Sequence, residues 1–592
     1  MMKWFCAASA LALIAACSGN ETSDSTTETA GAPAPDTAET ASASELLLPL
    51  PEATETAITA DDLRVRIRTL ADDRFEGRAP GTETGEASAD WIAAEMERVG
   101  LKPAGTDGSW FQTVEMVEQT VDEAASGLTF SGGASERDYE MTLREDAVIW
   151  TKRQEETELS FTDSEVIFVG YGVVAPEYGW DDYAGLDAEG KTVVMLVNDP
   201  GFATGDPDLF KGKAMTYYGR WTYKFEEAAR QGASAAIVVH ETAPASYGWD
   251  VVANSWSGAQ ADLVRSDGGA DRAILEGWVT VDTARNLFAD GGLDFEEMKR
   301  AARTPGFTPV DMGDLTASGE ITQTVSRAES RNVLGMLEGE SEPAEYMLFT
   351  AHWDHLGKKS GEKEGQPTQD FYRDQIYNGA VDNATGVAGL LEIAEAMAAQ
   401  PRERSALFLS VTLEESGLLG SAYYAENPTV PLSSVVAGIN MDGMLPVGRT
   451  RDMVVVGYGA SELEDRLEAV LEGQDRVIRP DPKPEAGYFY RSDHISLAKK
   501  GVPMLYADGG PDKRDGGLAA GKAAADAYTA QRYHKPMDEY AEGWDLSGMQ
   551  EDIQALYEVG LGIVQSGDWP QWYEGNEFEA IRQASLAEAG EE

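Results

Sequence analysis

Cysteine is nearly absent. The 592 residues hold two, Cys6 and Cys17, both at the extreme N-terminus. The folded body therefore has no disulfide, no thiolate metal site and no cysteine nucleophile, and any metal it binds is left to His, Asp and Glu. Cations are scarce as well: 47 Lys+Arg stand against 103 Asp+Glu, a formal net charge of −56. That balance excludes the basic face that nucleic acid requires, and it argues against adsorption of the folded surface to anionic lipid. Long apolar runs are missing too. The stretch from Trp4 to Ala16 falls short of the roughly 20 residues that a spanning helix needs.

What is present at the N-terminus is a targeting signal. Lys3 supplies the positive end, and the apolar run closes on Leu13-Ile14-Ala15-Ala16-Cys17. Small residues before a cysteine resemble a bacterial lipobox, which implies cleavage before Cys17 and acylation there. The expected location is the cell envelope of a Gram-negative-type bacterium, with Ser18 after the cysteine pointing to the outer membrane or periplasm. Membrane contact is then expected only through the anchor. Residues 18–58 are rich in Thr, Ser, Ala, Glu and Pro and carry too little apolar surface to order themselves, so they read as a flexible tether.

At this length more than one core is expected. Thr59 or Asp61 caps a helix to about 71, and 85–99 forms a second one, stopped by Gly100. Residues 110–150 read as short strands. Between about 156 and 315 the pattern changes to an aromatic, Gly-rich block with strands at 166–169, 192–197 and 233–239 and a helix near 226–231. Its one histidine, His240, has no ligand pattern around it and reads as structural. From 316 to 592 apolar strands at 346–351, 406–412, 435–441, 453–456 and 502–507 alternate with helices at 387–399, 461–473 and 549–564. Strands that are continuously apolar suit a mostly parallel sheet covered on both faces. The fold class is thus α/β, a mixed, mostly parallel sheet flanked by helices, split by the 156–315 insert from its N-terminal part at 59–155.

Chemistry gathers where the strands end. His352-Trp353-Asp354 follows the strand at 346–351, Glu414-Glu415 the strand at 406–412 and Asp442 the strand at 435–441. In open α/β sheets functional groups collect beyond the carboxyl ends of strands. Asp382 stands before a helix, and His494 stands before the strand at 502. Imidazole and carboxylate ligands suit zinc. Two His and three carboxylates can serve two ions if one carboxylate bridges, the ions lying roughly 3.5–4 Å apart. Asp354 is placed to take the other ring N–H of His352. Glu414 and Glu415, adjacent at a strand end, can point apart, one to metal and one free as a base.

The phrases Ala351-His352-Trp353-Asp354-His355-Leu356-Gly357, Asn378-Gly379-Ala380-Val381-Asp382-Asn383, Leu413-Glu414-Glu415-Ser416-Gly417, Ile439-Asn440-Met441-Asp442 and Arg491-Ser492-Asp493-His494 resemble the co-catalytic di-zinc exopeptidases of peptidase family M28. Phe75-Glu76-Gly77-Arg78-Ala79-Pro80-Gly81-Thr82 fits the start of the same domain, and 156–315 is similar to the protease-associated insert of such enzymes, a β-rich domain. The resemblance implies two Zn2+ per chain, with Asp382 bridging, His352 and Asp442 completing one site and Glu415 and His494 the other. It implies a cis peptide at Asp382–Asn383, Glu414 as general base for a metal-bridged water, and peptide substrates cleaved at the N-terminus. His534, in a His-x-x-x-Asp element ending at Asp538, resembles a late element near the substrate carbonyl and is counted with Glu414 and Asp354 as catalytic. His355 reads as structural, and Arg491 as a surface pair rather than a substrate contact. Val381 stands where many relatives have Asp, and the stretch after His352 is a long charged loop beside the cleft.

Other readings share the same residues. A carboxypeptidase or dipeptidase would need a cationic pocket that the sequence does not place. Glutaminyl cyclisation goes with one zinc and no insert. A binding protein of the transferrin-receptor kind would lack a ligand, and none is missing here.

Overall fold

The computed structural model describes residues 48–51, 53–358 and 375–590. The signal, most of the tether and most of the charged loop after His352 lie outside the described residues. Helix α1 (Ala60–Leu70) begins at Thr59, whose Oγ1 accepts from Asp62 N at 3.1 Å, the cap that an exposed first turn needs. Helix α2 (Glu83–Arg98) is capped in the same way by Thr82 through Gly85 N. Each buries one stripe: Leu63, Ile67 and Leu70 from α1, and Trp91, Ile92 and Met96 from α2. Strand β1 (Phe111–Val121) follows.

A separate core comes next. Strands β2 (Ala147–Trp150), β3 (Glu158–Phe168) and β4 (Thr192–Leu196), helix α3 (Trp221–Arg230), and strands β5 (Ala235–His240) and β6 (Leu275–Thr280) build it. β3, β4, β5 and β6 run parallel, and β2 pairs antiparallel with β6. Parallel neighbours need crossover segments; α3 supplies the one between β4 and β5. The region combines this helix with the five strands. Leu128, Phe130 and Ala147 already pack in this core with Ile237, Leu275 and Ile321.

The 28-residue strand β7 (Val310–Leu337) joins the two regions. Its first part pairs antiparallel with β3, its middle with β1 and its end with the catalytic sheet. That sheet continues with β8 (Glu342–His352), followed by helix α4 (Thr385–Ala398), β9 (Arg404–Val411), β10 (Val435–Asn440) and β11 (Met504–Gly509), then helices α5 (Gly517–Gln531) and α6 (Ser547–Val564). The spatial order is β7-β9-β8-β10-β11, and the last four strands are parallel. Phe349 of β8 lies opposite Phe408 of β9, with their rings stacked at 5.1 Å. Every residue of β9 and β10 is buried, because both faces are covered. α1, α4 and α6 pack Ile67, Leu391 and Ile553 on one side, while Leu348, Leu407, Tyr424 and Ile495 meet on the other. Each such apolar side chain contributes about 1.5–3 kcal/mol relative to exposure. This fixes the strand ends, and with them the site. Among the described residues, no helix is long and apolar enough to cross a membrane.

Candidate metal centre

Parallel β8, β9 and β10 end on one edge of the sheet, and each hands over a polar residue there. β8 ends at His352, which is buried. The turn after β9 carries Glu414 and Glu415, and Asp442 stands two residues beyond β10. Asp382 sits in the buried turn that leads into α4, with the Asp382–Asn383 peptide cis. His534 arrives from further along, three residues after α5, with a positive φ of 55°.

These groups converge in two overlapping sets. His352 Nε2 is 3.3 Å from Asp382 Oδ1 and 3.3 Å from Asp442 Oδ1. His534 Nε2 is 3.2 Å from Asp382 Oδ2 and 3.1 Å from Glu415 Oε2. Asp382 thus gives one oxygen to each set. Ligands about 2.0–2.1 Å from a tetrahedral zinc ion stand about 3.3 Å from one another, and that is the spacing found. The donor chemistry, imidazole and carboxylate with no thiolate, fits zinc as well.

His355 is a rival for the second set. It forms a compact group with Asp382 and Glu415, and its Nδ1 lies against Glu415 Oε1, although neither atom gains a hydrogen bond from the approach. His534 meets both carboxylates through a single atom, Nε2, at ligand spacing. His355 is fully buried and packs edge-on to His534, ring centroids 5.8 Å apart. The sequence reading had left it structural, and the structure brings it into the site.

Two expectations change. His494 stands outside both sets. It is fully buried between the rings of Phe489 and Tyr506, at 4.6 and 5.1 Å, and burial pushes its imidazole down to about 3. It packs into the core at the start of helix His494–Ala498, and His534, not His494, faces Asp382 and Glu415. Asp354 also acts differently. His352 Nδ1 faces the Asp354 backbone carbonyl at 3.1 Å and its carboxylate at 3.7 Å. The carboxylate instead accepts from the backbone N–H of Glu414 at 3.1 Å and of Glu415 at 3.4 Å. It therefore orients the Glu-Glu turn more than the His352 ring.

Other residues hold the centre in shape without a clear sequence signal. Buried Asp538 accepts from Val381 N and Asp382 N at 3.1 and 3.0 Å, which fixes Asp382. Ser492 donates to Asp442 Oδ2 at 2.7 Å and receives a hydrogen bond from Asn440. Such outer partners set the aim and basicity of ligands. Asp538 was visible only as the end of the His-x-x-x-Asp spacing.

The electrostatics call for cations. Glu414 Oε2 lies 4.0 Å from His352 Nε2. Burial, then Asp442, Glu415 and Asp493, push the Glu414 carboxyl well above the carboxylate range against the pull of His352. Burial would lower His534, yet Glu415 and Asp382 raise it to about 10. A buried carboxylate must be neutralised or paired, which metal ions held by these residues would do.

Residues 332–557 match the peptidase family M28. Mouse aminopeptidase NAALADL1 is 34% identical over 150 residues, 23% of this chain and 17% of that protein. A probable zinc metalloprotease of Pyricularia oryzae is 27% identical over 168 residues, 28% of this chain and 30% of that one. The chain therefore spans under a third of the length of these relatives. Among solved structures, an aminopeptidase from Aneurinibacillus sp. strain AM-1 superposes with a TM-score of 0.46 at 17% identity, covering 86% of this chain and 95% of that one. A zinc aminopeptidase from Bacillus subtilis superposes with a TM-score of 0.37 at 16% identity, covering 89% and 98%. His352, Asp382, Glu414, Glu415, Asp442 and His534 all fall inside the span that matches the family.

Proposed function

We propose that the chain is a di-zinc metallo-aminopeptidase that removes N-terminal residues from peptides. The observation that carries this reading is Asp382, which offers one oxygen to His352 and the other to His534 at ligand spacing. His352, Asp382 and Asp442 would hold one zinc, and Asp382, Glu415 and His534 the other. Bound there, the ions would polarise the scissile carbonyl and acidify water.

The chain's own groups do the remaining work. Glu414, held by its backbone N–H on Asp354, accepts the proton of the attacking water and delivers it to the leaving amine. Asp354 keeps Glu414 and Glu415 pointing apart, so that one serves as base while the other remains a ligand. The stacked ring of Tyr533, 3.9 Å from that of His534, restrains the most exposed ligand. The names of the relatives support aminopeptidase over carboxypeptidase chemistry. The Cys17 motif supports anchoring in the cell envelope, and residues 156–315 are proposed as a protease-associated insert.

The test uses purified protein with unblocked and N-acetylated peptides, before and after chelation and zinc readdition. Release of N-terminal residues from unblocked peptides alone, lost with chelator and restored by zinc, is expected. Cleavage of N-acetylated peptides from their C-terminal end would replace this reading with a carboxypeptidase. Two bound zincs with no peptide hydrolysis would replace it with a binding role.

A further inference from the structure

Arg78 lies outside the matched M28 span, yet it reaches the back of the metal centre. Its side chain is buried, and its backbone holds a φ of 52°. The guanidinium spends its donors on main-chain carbonyls. Nε donates to Trp353 O at 2.7 Å, Nη1 to Leu70 O at 2.8 Å and Asn378 O at 2.5 Å, and Nη2 to Gly379 O at 2.9 Å. Trp353 stands between His352 and Asp354, and Gly379 opens the turn that carries Asp382. One side chain thus ties the two ligand-bearing segments together.

The backbone beside it does the same. Arg78 O accepts from His355 N at 3.2 Å, and Gly77 O accepts from Gly357 N at 3.0 Å. The fit is tight: a Cβ at Gly77, whose φ is 75°, would come 2.5 Å from Tyr377 O and 2.6 Å from Gly357 O. Among the described residues Arg78 forms no ion pair, although Asp354, Asp382, Asp538 and Glu415 all act on it electrostatically. Its positive charge lies near them without taking any of their oxygens as a hydrogen-bond acceptor.

We propose that Arg78 is a positioning residue of the metal centre, clamping the His352 and Asp382 segments at ligand spacing and thereby setting metal affinity. The proposal rests on reading that cluster as a metal centre. Lysine cannot replace it, because an ammonium has three donors and no planar fork. Ligands must be held to within about 0.5 Å, and losing an outer partner costs about 10–100-fold in metal affinity.

The test compares Arg78→Lys, Arg78→Met and a control, Arg404→Lys. Arg404 is another buried arginine, bonded to Ile563 O and Asp568 O away from the centre. Zinc affinity is read by chelator competition, alongside circular dichroism, melting temperature, kcat and KM. The expected result is a folded Arg78→Lys protein with zinc bound about 10–100-fold more weakly, a lower kcat and an unchanged KM, while Arg404→Lys keeps wild-type zinc affinity whatever its melting temperature. Should Arg78→Met fail to fold, the lysine variant decides. Wild-type zinc affinity in Arg78→Lys, or an equal loss in Arg404→Lys, overturns the clamp. A wild-type protein that binds no zinc overturns the metal-centre reading itself.

Discussion

Two regions of this chain bury charge, and they settle it in different ways. In the core of residues 128–321, several buried ions are met by hydrogen bonds. Asp182 accepts from Tyr171 N, Val173 N and Trp180 Nε1. Asp199 accepts from Phe202 N and from both the N and Oγ1 of Thr216. Lys224, its ammonium pushed down to about 7 by burial against the pull of Asp199 and Asp182, donates to Tyr171 O. His240 meets the Tyr247 carbonyl at 3.1 Å. At the end of the catalytic sheet, Asp382, Glu415 and Asp442 instead face histidine nitrogens at 3.1–3.3 Å. Both regions are built of parallel strands with buried ions, so burial alone does not mark function. What marks it is buried carboxylates converging on two imidazoles that share one of them, Asp382, through its two separate oxygens.

The comparison can be broken most severely at Asp382. Asp382→Ala should remove both ions and lower kcat/KM beyond the roughly 10²–10⁴-fold expected of a lost general base, as read by metal analysis and kinetics. A variant that keeps both zincs would dissolve the bridging role. Glu414→Gln should lie next, with turnover down about 10²–10⁴-fold and two zincs retained, because Glu414 belongs to neither ligand set.

The pH dependence sharpens the contrast further. His534 is raised to about 10 and His352 well above its ordinary range by the surrounding carboxylates. A protonated imidazole must give up its proton before it can bind zinc. Apparent zinc affinity should therefore fall as pH drops from 8 to 6, with protons released on binding. Calorimetry in buffers of different ionisation enthalpy measures that release, and a pH-independent affinity would contradict the assignment. The smallest effect on function should come from the other region. Asp199→Asn weakens the bonds to Thr216 and Phe202 and should cost about 1–3 kcal/mol of stability while leaving zinc content unchanged.

Much of the catalytic sheet was legible because strands covered on both faces must be apolar throughout, as β9 and β10 are. His352, Glu415 and Asp442 could be found because each follows such a strand directly. His494 misled for the same reason. It lies in a polar Ser-Asp-His phrase before an apolar strand, but its ring turns into the core between Phe489 and Tyr506. His534 follows α5, an alanine-rich helix in which only Gly521 is buried, so no hydrophobic pattern announced its position. β7 was missed because its two faces meet different neighbours along 28 residues, which breaks any single alternation. Arg78 stands within a motif, but its hydrogen bonds to the carbonyls of Trp353, Asn378 and Gly379, distant in the chain, leave no trace in local spacing.

The account turns on which histidine closes the second set. Metal content by mass spectrometry of the wild type, His534→Ala and His494→Ala decides it. Two zincs, one zinc and two zincs per chain are predicted, with His494→Ala losing stability rather than metal. One zinc in His494→Ala and two in His534→Ala would contradict the centre described here.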